Sequence, residues 1–437
     1  MKKINFSELK NYFGQEVELH GFVEKVRDLQ YVQFLILKDK SGCVQVTLEK
    51  DGSLEELNNI VSNLKVDSTV KVLGKVLENE KVKLGGLEVI PSSIEITSEP
   101  VEELPINYRD LNGINLDTRL DNRFLDLRNE KNALIFKVQS CFVEAMREFL
   151  YKENFTEIHT PKLIGAASES GSDVFEVKYF KTKAYLAQSP QFYKQMAIAA
   201  GMERVFEVGP VFRAENSNTN RHTTEFSGFD IEFSYIDSYV DVMEMEEDIL
   251  IAGLSKVKEL YGEEIKRLYG KEVVVPTKPF PRIKLQDLYN ELNKRYNYQI
   301  PTEDVGDMNA EAEKLACQYA MEEFGHEFIF VTDFAKTKRA FYHMRDNEVP
   351  QGYDLLWRGT EITTGAQREH RYDVLAKQAK EKGLDKDVEF YLEFFKYGCP
   401  PHGGFGLGID RLTMLLLGIS TIKEAMFLFR GPNRLTP

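Results

Sequence analysis

The sequence predicts an α+β protein with a small β-rich domain at the N-terminus and a larger domain built on an antiparallel sheet after it. Two observations support this class. Residues 17–49 and 69–97 alternate apolar and polar side chains, as half-buried strands do, with one segment of helical spacing between them. From residue 161 onward, short apolar runs alternate with helices without a regular strand–helix–strand period, which disfavours a doubly wound parallel sheet.

Length and composition indicate a folded chain of about two or three domains. Its 437 residues are 42% hydrophobic and 29% charged, which excludes a disordered protein. The 56 Lys and Arg residues against 70 Asp and Glu residues give a formal net charge of −14. Taken alone, this charge predicts no nucleic-acid partner, because binding phosphates requires a positive surface.

The spacing of cysteines and histidines and the length of apolar runs indicate which sites and which cell compartment to expect. The four cysteines are far apart and the seven histidines show no HExxH spacing, so we expect neither a disulfide framework nor a zinc site. No apolar run approaches the ~18 residues of a membrane span, and no apolar signal region follows the first lysines. The expectation is a cytoplasmic protein that does not associate with a membrane.

The first domain is expected over residues 1–100. Residues 53–65 have helical spacing, and Ser53 with Glu56 predicts a capping box at the start of this helix. The strand patterns return at 69–77 and 82–97. Several strands with one helix near the middle are typical of a small β-barrel such as the OB-fold, although any small β-rich domain would fit the pattern.

The second domain is expected over residues 121–437, after a linker at 101–120 that has prolines, a glycine and acids without periodicity. Residues 131–153 predict an amphipathic helix that lies in a core or an interface. Residues 240–325 are rich in helical pattern and charge, and we expect them to form a helical excursion on this domain.

The segment 211–232, VFRAENSNTNRHTTEFSGFDIE, concentrates groups that suit a nucleotide between two apolar flanks. The flanks predict paired strands around a polar loop. Arg221 and His222 place positive charge where a triphosphate could bind. Glu215 can accept from the exocyclic amine of a base, and Phe226 offers a stacking face. The alternative is a solvated charged hairpin.

Three further segments carry candidate residues. Asp354 and Glu361 could together hold Mg²⁺, although two surface acids would look the same, and Arg368 follows in a loop where it could bind an anion. Lys194 is the only cation in QSPQFYKQ, where burial in an otherwise uncharged pocket would require an anionic partner; a surface lysine on a helix is the alternative. The glycine-rich 403–411 is not a dinucleotide fingerprint, because its spacing is not GxGxxG and no Rossmann unit surrounds it.

Taken in order, the loop that ends at Pro161, then FRAE…RHTTEF, then GLGIDR, resemble the three signature motifs of class II aminoacyl-tRNA synthetases. The β-rich domain ahead of them is similar to the aspartyl/asparaginyl/lysyl subgroup, whose OB-fold reads the anticodon. The stretches LDTRLDNRFLDLR, EIHTPKL, YLAQSPQFYKQ, GAQREHR, CPPHGGFGLG and RLTP resemble aspartyl-tRNA synthetases of the archaeal/eukaryotic type. The resemblance covers nearly the whole chain and implies an OB-fold followed by a class II antiparallel-sheet catalytic domain.

The resemblance implies an aspartate–tRNA ligase that uses ATP with Mg²⁺, L-aspartate and tRNA(Asp), and that forms a homodimer. It thereby reverses the prediction drawn from net charge. It leaves open whether tRNA(Asn) is also charged, because Glu24 stands where some archaeal members with relaxed tRNA selectivity have tryptophan. The alternatives are an asparaginyl-tRNA synthetase, a synthetase-like ligase that does not use tRNA, and a non-catalytic RNA-binding paralogue.

The resemblance also implies the site residues. Arg213 and Arg411 are the implied catalytic residues. The implied aspartate site is Glu169, Gln191, Lys194, Arg213, Asp230, Thr364 and Arg368. The implied ATP site is Arg213, Glu215, Arg221, His222, Thr223, Phe226, Glu361, Gly408, Asp410 and Arg411. The implied metal ligands are Asp354, Glu361 and Thr364, and the implied anticodon contacts are Arg27, Phe34, Gln45, Glu78 and Lys83.

Specificity for aspartate is expected to depend on Lys194 and Arg368. Two cations suit the anionic β-carboxylate of aspartate, whereas the neutral amide of asparagine would leave them uncompensated. Asparaginyl enzymes lack a lysine at the position of Lys194, so this residue favours aspartate over asparagine.

Overall fold

The computed structural model describes residues 3–165, 174–217 and 219–437. Its contacts divide the chain into two compact units, Met1–Pro105 and Ile106–Pro437. No helix in these described ranges is long and apolar enough to cross a membrane.

The first unit is a closed five-stranded barrel with strand order β1-β2-β3-β5-β4. The strands are β1 (Glu16–Asp28), β2 (Val32–Asp39), β3 (Gly42–Glu49), β4 (Thr69–Glu78) and β5 (Leu87–Ser98), with helix α1 (Glu55–Asn63) between β3 and β4 and a 3-10 helix at Phe6–Tyr12. This confirms the predicted small barrel with one helix near its middle.

Alternation along the strands decides which side chains fill the barrel. Leu35 and Leu37 on β2 point inward and are fully buried, while Phe34, one residue before Leu35, is only partly buried. Gly74 on β4 is required by close packing, because a Cβ there would lie 2.6 Å from the carbonyl oxygen of Ile90.

The predicted capping box of α1 is wrong. The N-cap residue is Leu54, and it makes no side-chain capping hydrogen bond. The hydroxyl of Ser53 instead donates to Asp51 Oδ1 at 2.6 Å. A short polar side chain can form a hydrogen bond within a local turn as readily as at a helix terminus, and Ser53 forms the one within the turn.

The second unit is built on a mainly antiparallel sheet. Its strands are β6 (Thr156–Glu157), β7 (Leu163–Ile164), β8 (Glu176–Tyr179), β9 (Thr182–Leu186), β10 (Arg204–Phe212), β11 (Glu225–Ser234), β12 (Arg282–Lys284), β13 (Phe328–Thr332), β14 (Arg345–Asp346), β15 (Val349–Pro350), β16 (Gly352–Trp357), β17 (Thr360–Gln367) and β18 (His402–Gly408). In the described part of the chain, eight strands form one sheet in the order β12-β13-β16-β17-β18-β11-β10-β6. Only the outer pairs β12/β13 and β10/β6 are parallel, which confirms the predicted class.

Helices cover this sheet and extend beyond it. They are α2 (Leu116–Asp121), α3 (Arg123–Asp126), α4 (Glu130–Lys152), α5 (Gln191–Ala199), α6 (Tyr239–Tyr269), α7 (Leu285–Tyr296), α8 (Ala310–Phe324), α9 (Tyr372–Glu381), α10 (Glu389–Phe395), α11 (Ile409–Leu417) and α12 (Ile422–Ala425). Two further 3-10 turns lie at Thr302–Asp304 and Lys336–Lys338.

The main core lies between α4, α6 and the sheet. Leu134 and Val138 of α4 belong to the same buried cluster as Leu250 of α6 and Phe229 of β11, which confirms the amphipathic helix predicted at 131–153. The segment predicted as a helical excursion is divided between two environments: α6 packs in the main core, whereas α7 and α8 form a separate apolar cluster with β13.

Candidate active site

The central strands of the sheet and their loops surround one cavity of about 430 Å³. Most of the residues that the sequence implies for the catalytic site line it: Gln191, Arg213, Glu215, Arg221, His222, Thr223, Phe226, Asp230, Glu361, Thr364, Arg368, Gly408, Asp410 and Arg411. Lys194 and Asp354 lie behind the lining, and Glu169 lies outside the described residues. The sheet therefore brings together side chains that are up to about half the chain length apart in sequence.

One end of the cavity is formed by the loop between β10 and β11. The two strands pair antiparallel, with Val211 opposite Phe226, and the backbone N–H of Arg213 donates to the Thr224 carbonyl oxygen at 2.9 Å. The Arg213 guanidinium lies 5.2 Å from the centre of the Phe226 ring. A cation beside an aromatic face offers an anion contact and a stacking surface next to each other.

The polar loop is held by contacts within and beyond it. His222 Nε2 lies 3.9 Å from Glu215 Oε2. The hydroxyl of Thr223 is 2.8 Å from the backbone carbonyl oxygens of Glu225 and Arg430. These contacts place His222 and Glu215 at the cavity wall, and they hold Thr223 mainly as a support of the loop.

Arg221 is held by a residue that the sequence reasoning missed. Glu313, in the first turn of α8, places Oε2 3.4 Å from Arg221 Nη1, and the same oxygen accepts from the backbone N–H of Glu361 at 3.1 Å. Burial raises the pKa of Glu313, although Arg221 and the hydrogen bond from Glu361 oppose this. No local pattern marks Glu313, because it lies 92 residues from Arg221 in a segment predicted to be peripheral.

Both backbone polar groups of Glu361 form hydrogen bonds to charged side chains. Its N–H donates to Glu313, and its carbonyl oxygen accepts from Arg411 Nη1 at 2.9 Å. The β16/β17 register shifts beside Glu361, so that Leu356 faces Glu361 while Leu355 faces Thr363. Such a bulge re-aims a side chain out of the regular ladder.

Arg411 lies in the first turn of α11, which begins one residue after β18 ends at Gly408. The glycine-rich segment is therefore a strand-to-helix turn on an antiparallel sheet, and no Rossmann unit surrounds it. The neighbouring Asp410 accepts from the Ser227 N–H and from Gln139 Nε2, both at 3.0 Å. Burial raises the pKa of Asp410, whose two oxygens tie α11 to β11 and α4.

The two predicted metal acids are linked through a hydroxyl. Thr364 Oγ1 lies 2.9 Å from both Asp354 Oδ1 and Glu361 Oε1. Asp354 also accepts a two-pronged hydrogen bond from Arg339, at 2.8 and 2.6 Å. Burial raises the pKa of Asp354 to about 7, Arg339 opposes the rise, and the Glu361 carboxylate adds to it.

Oxygen donors of this kind suit a hard cation such as Mg²⁺, which uses one or two carboxylates with substrate phosphate oxygens. Glu361 and Thr364 line the cavity, whereas Asp354 is 3% exposed and bound to Arg339. The described residues contain no group of three or more His, Cys, Asp or Glu side chains that could hold a metal by themselves. The residues therefore fit an ion that a bound phosphate would complete.

Two buried cations lie at the opposite end of the cavity, one in its lining and one behind it. Lys194 Nζ, on α5, lies 3.2 Å from both Asp230 Oδ1 and Glu232 Oε2. Arg368 Nε donates to Glu232 Oε1 at 2.9 Å, and Arg368 lines the cavity while Lys194 does not. The expectation that the neutral amide of asparagine would leave these two cations uncompensated is wrong, because two carboxylates on β11 already pair with them.

Glu232 is fully buried and was missed from sequence. Burial alone would raise its pKa, but Arg368 and Lys194 hold the pKa below the ordinary value. For Asp230, burial raises the pKa despite Lys194. The sequence did contain a signal for Glu232. Asp230 and Glu232 are two residues apart on one strand, so they point to the same face of the sheet.

On the barrel, the predicted anticodon residues lie on the outer surface. Phe34 on β2 pairs with Arg27 on β1 and with Thr47 on β3, and Gln45 Nε2 donates to Thr47 Oγ1 at 3.1 Å. Arg27, Phe34 and Gln45 therefore lie near one another on the outward face of three adjacent strands. The remaining two predicted residues are exposed, Glu78 at the end of β4 and Lys83 after it.

Comparison with known proteins agrees with this architecture. Residues 115–430 match the family described as tRNA synthetases class II (D, K and N), and residues 17–97 match the OB-fold nucleic acid binding domain. The chain belongs to the class II tRNA synthetases. This confirms the family resemblance, and it overturns the prediction from net charge, because enzymes of this class act on tRNA.

Within the class II synthetases, relatives cover nearly the whole chain. The chain is 44% identical to the aspartate–tRNA(Asp/Asn) ligase of Methanopyrus kandleri over 426 residues, which covers 97% of this chain and 96% of that one. It is 42% identical to the aspartate–tRNA(Asp) ligase of Pyrococcus abyssi, with 97% of each chain covered.

Solved synthetase structures show the same fold. The asparaginyl-tRNA synthetase from Pyrococcus horikoshii complexed with asparaginyl-adenylate matches with a TM-score of 0.89 and 33% identity over 100% of both chains. A putative aspartyl-tRNA synthetase from Leishmania major matches with a TM-score of 0.86 and 32% identity, covering 100% of this chain and 95% of that one.

Proposed function

We propose that the protein is an aspartate–tRNA ligase, which joins L-aspartate to the 3′ end of tRNA(Asp) with ATP. The observation that carries the proposal is one cavity with two chemically different ends. Arg213, Phe226 and Arg411 supply cations and a stacking face at one end, and Asp230 with Arg368 supplies a charged pocket at the other. The names and coverage of the similar ligases support this choice of amino acid.

The reaction needs no protein nucleophile. An oxygen of the aspartate α-carboxylate attacks the α-phosphorus of ATP, the bond to the β-phosphate oxygen breaks, and pyrophosphate leaves. Arg213 neutralises charge at the α-phosphate, and Arg221 with His222 binds the leaving phosphates. The adenine stacks between Phe226 and Arg411. A hydroxyl oxygen of the terminal tRNA adenosine then attacks the carbonyl carbon of the aspartyl-adenylate, the bond from this carbon to the phosphate oxygen breaks, and AMP leaves as the hydroxyl proton is released. Catalysis consists of positioning and charge neutralisation.

Mg²⁺ would be held by Glu361 and Thr364 together with phosphate oxygens, where it supplies further neutralisation of the triphosphate. Asp354 supports this position from behind, since Arg339 occupies both of its oxygens.

Recognition of the amino-acid side chain is assigned to Arg368. Its Nε and Nη2 bind Glu232 and the Gly404 carbonyl oxygen, and Nη1 makes no hydrogen bond to a described residue. Because Arg368 lines the cavity, Nη1 is available to the β-carboxylate of aspartate. Lys194 pairs with Asp230 and Glu232, so that the charge of these two carboxylates does not fall on Arg368 alone.

The test is amino-acid-dependent ATP–pyrophosphate exchange with aspartate, asparagine and lysine, each assayed separately. We expect exchange with aspartate and only background with the other two. Exchange with asparagine alone would instead establish an asparaginyl-tRNA synthetase, which the structural similarity to the Pyrococcus horikoshii enzyme keeps as the second candidate.

The tRNA partner is assigned to the barrel, whose outward Phe34 and Gln45 suit stacking on an anticodon base and hydrogen bonding to its edge. Charging of tRNA(Asp) and tRNA(Asn) transcripts measures whether one or both are substrates.

We place the protein in the cytoplasm as a homodimer. A surface groove along α4 supports self-association, because its lining combines the apolar Phe136, Val143 and Tyr151 with the charged Glu144, Arg147 and Glu148 and so offers both kinds of contact to a second copy. Sedimentation equilibrium should give twice the chain mass; a monomer at micromolar concentration would contradict this part of the proposal.

A further inference from the structure

A buried hydrogen-bond chain leads from the cavity into the protein behind it. Gln191, at the start of α5, lines the cavity, and its Nε2 donates to Gln195 Oε1 at 2.8 Å. Gln195 Oε1 also accepts from the hydroxyl of Tyr391 at 3.0 Å, and Gln195 Nε2 lies 2.9 Å from His402 Nε2. Gln195, Tyr391 and His402 are all fully buried.

His402, at the far end of this hydrogen-bond chain, determines which atom donates in each of its hydrogen bonds. His402 Nδ1 lies 2.8 Å from the Pro400 carbonyl oxygen, which can only accept, so Nδ1 carries the ring proton. Burial lowers the pKa of His402 to about 4, despite the nearby Glu232 carboxylate, so the ring is neutral near pH 7. His402 Nε2 is therefore an acceptor.

An acceptor at His402 Nε2 requires the amide nitrogen of Gln195 to face it, which turns the amide oxygen of Gln195 toward Tyr391 and Gln191. The hydrogen bond from the Tyr391 hydroxyl to that oxygen is consistent with this orientation of the Gln195 amide. Gln191 must then present its own amide nitrogen to Gln195. Its oxygen, Oε1, receives no hydrogen bond from any described residue.

We propose that Gln195 is a positioning residue for the amino-acid substrate, because it holds Gln191 with its amide oxygen available to the substrate α-ammonium group. A carbonyl oxygen suits an ammonium donor, and the Asp230 carboxylate lines the same cavity. The inference rests on the proposed function only in taking an amino acid as substrate, and the α-ammonium group is common to all amino acids.

Two substitutions of similar size separate this role from a purely structural one. Gln195→Met removes the acceptor for Gln191, so the Gln191 amide is free to turn. Gln195→Glu keeps an oxygen acceptor for both Gln191 and Tyr391, although it loses the amide donor to His402 Nε2 and buries a carboxylate. Binding and stability should therefore rank the two variants in opposite order, since burying a charge costs more than burying a thioether.

The experiment measures pyrophosphate exchange and urea unfolding of the full-length wild type and both variants. We expect Gln195→Met to raise the KM for the amino acid about tenfold, with kcat and the KM for ATP changed less, and Gln195→Glu to stay within about threefold of wild type in KM while being the less stable variant. If Gln195→Met leaves that KM unchanged, or if Gln195→Glu raises it as much, the proposal is overturned.

A double-mutant cycle shows whether Gln195 acts through Gln191. Gln191→Met should raise the amino-acid KM, and adding Gln195→Met should change it little further. Fully additive effects would overturn the proposal. All measurements use whichever amino acid the wild type activates. Failure of aspartate as that amino acid would contradict the proposed function and leave the role of Gln195 testable.

Discussion

Glu313 joins two segments that meet only in the folded protein. One of its oxygens contacts both Arg221 in the β10–β11 loop and the backbone N–H of Glu361 on β17. A carboxylate in this position holds a cation ready for the triphosphate and fixes the strand that carries Glu361. Removal of its charge should therefore affect nucleotide binding more than amino-acid binding.

We predict that Glu313→Gln raises the KM for ATP about three- to tenfold, with a smaller change in the KM for aspartate. The amide oxygen can still accept from Glu361, but the ionic contact with Arg221 is lost. Exchange kinetics measure both constants. Glu311→Gln, an exposed position in the same helical turn, is the matched control; equal behaviour of the two variants would contradict the assigned role.

Lys194 is a second residue whose importance comes from its neighbours. It is 2% exposed and pairs with both Asp230 and Glu232. Glu232 also pairs with Arg368, whereas Asp230 has no second ion pair among the described residues. Removal of one partner from a buried ionic group leaves a charge without compensation, and this is far more costly than breaking an ion pair at the surface.

We predict that Lys194→Met lowers the free energy of unfolding by about 3–5 kcal/mol and abolishes aspartate-dependent exchange. Urea unfolding measures the loss of stability. Pyrophosphate exchange, assayed under conditions in which the variant is still folded, measures the loss of activity. Lys162→Met, which breaks the more exposed pair with Glu207, should cost much less. Near-normal exchange in Lys194→Met would contradict its assigned role in aspartate recognition.

At the scale of elements, the β16–β17 hairpin carries the acids of the active site and is supported from behind by α6. Tyr353 on β16 donates its hydroxyl proton to Glu246 Oε2 at 2.7 Å, and both side chains are buried. Burial raises the pKa of Glu246 to about 8. The carboxyl is therefore mostly protonated at neutral pH in the folded protein, although it ionises near 4.5 when unfolded.

Between the unfolded pKa of 4.5 and the folded pKa of about 8, the folded state holds a proton that the unfolded state has released, so stability falls as pH rises. We predict that from pH 5.5 to 7.5 the wild type loses up to about 1.4 kcal/mol per pH unit relative to Glu246→Gln. Urea unfolding of both proteins across this range is the measurement; parallel stability profiles would show that Glu246 is ionised when buried.

At the scale of the whole molecule, a net charge of −14 coexists with an OB-fold nucleic acid binding domain. Net charge governs solubility and long-range steering, whereas a tRNA needs only a local path of cations and shaped contacts for its bases. The net charge is an average over the whole surface and does not describe each part of it, so it does not exclude a tRNA partner.

We predict that tRNA(Asp) affinity falls steeply as salt increases, because bound phosphates release counterions when lysine and arginine neutralise them. Phe34→Ala should weaken binding by a similar factor at every salt concentration, about tenfold, whereas Lys83→Ala should reduce the slope of log affinity against log salt by about 1. Filter binding measures both, and tRNA-independent exchange should stay normal in both variants. Affinity that does not change with salt would contradict this prediction.

Sequence alone determined the class of both units and most of the candidate cavity residues. Alternation of apolar side chains is a local property of a strand, so the barrel strands and the hairpin around 211–232 could be predicted without knowledge of their partners. The family motifs extended this to Arg213, Phe226 and Arg411, which the fold brings to one cavity. Where two local rules competed, as at Ser53, the prediction from pattern failed.

Only the tertiary structure decided which charges compensate one another. Arg368 meets Glu232 across 136 residues of chain, Arg221 meets Glu313 across 92, and Gln195 meets His402 across 207. No spacing rule covers such pairs, because their geometry is set by how the strands order themselves in the sheet. The physical reason is burial: a charge or amide removed from water must find its partner within hydrogen-bond distance, and the folded neighbours determine which partner that is.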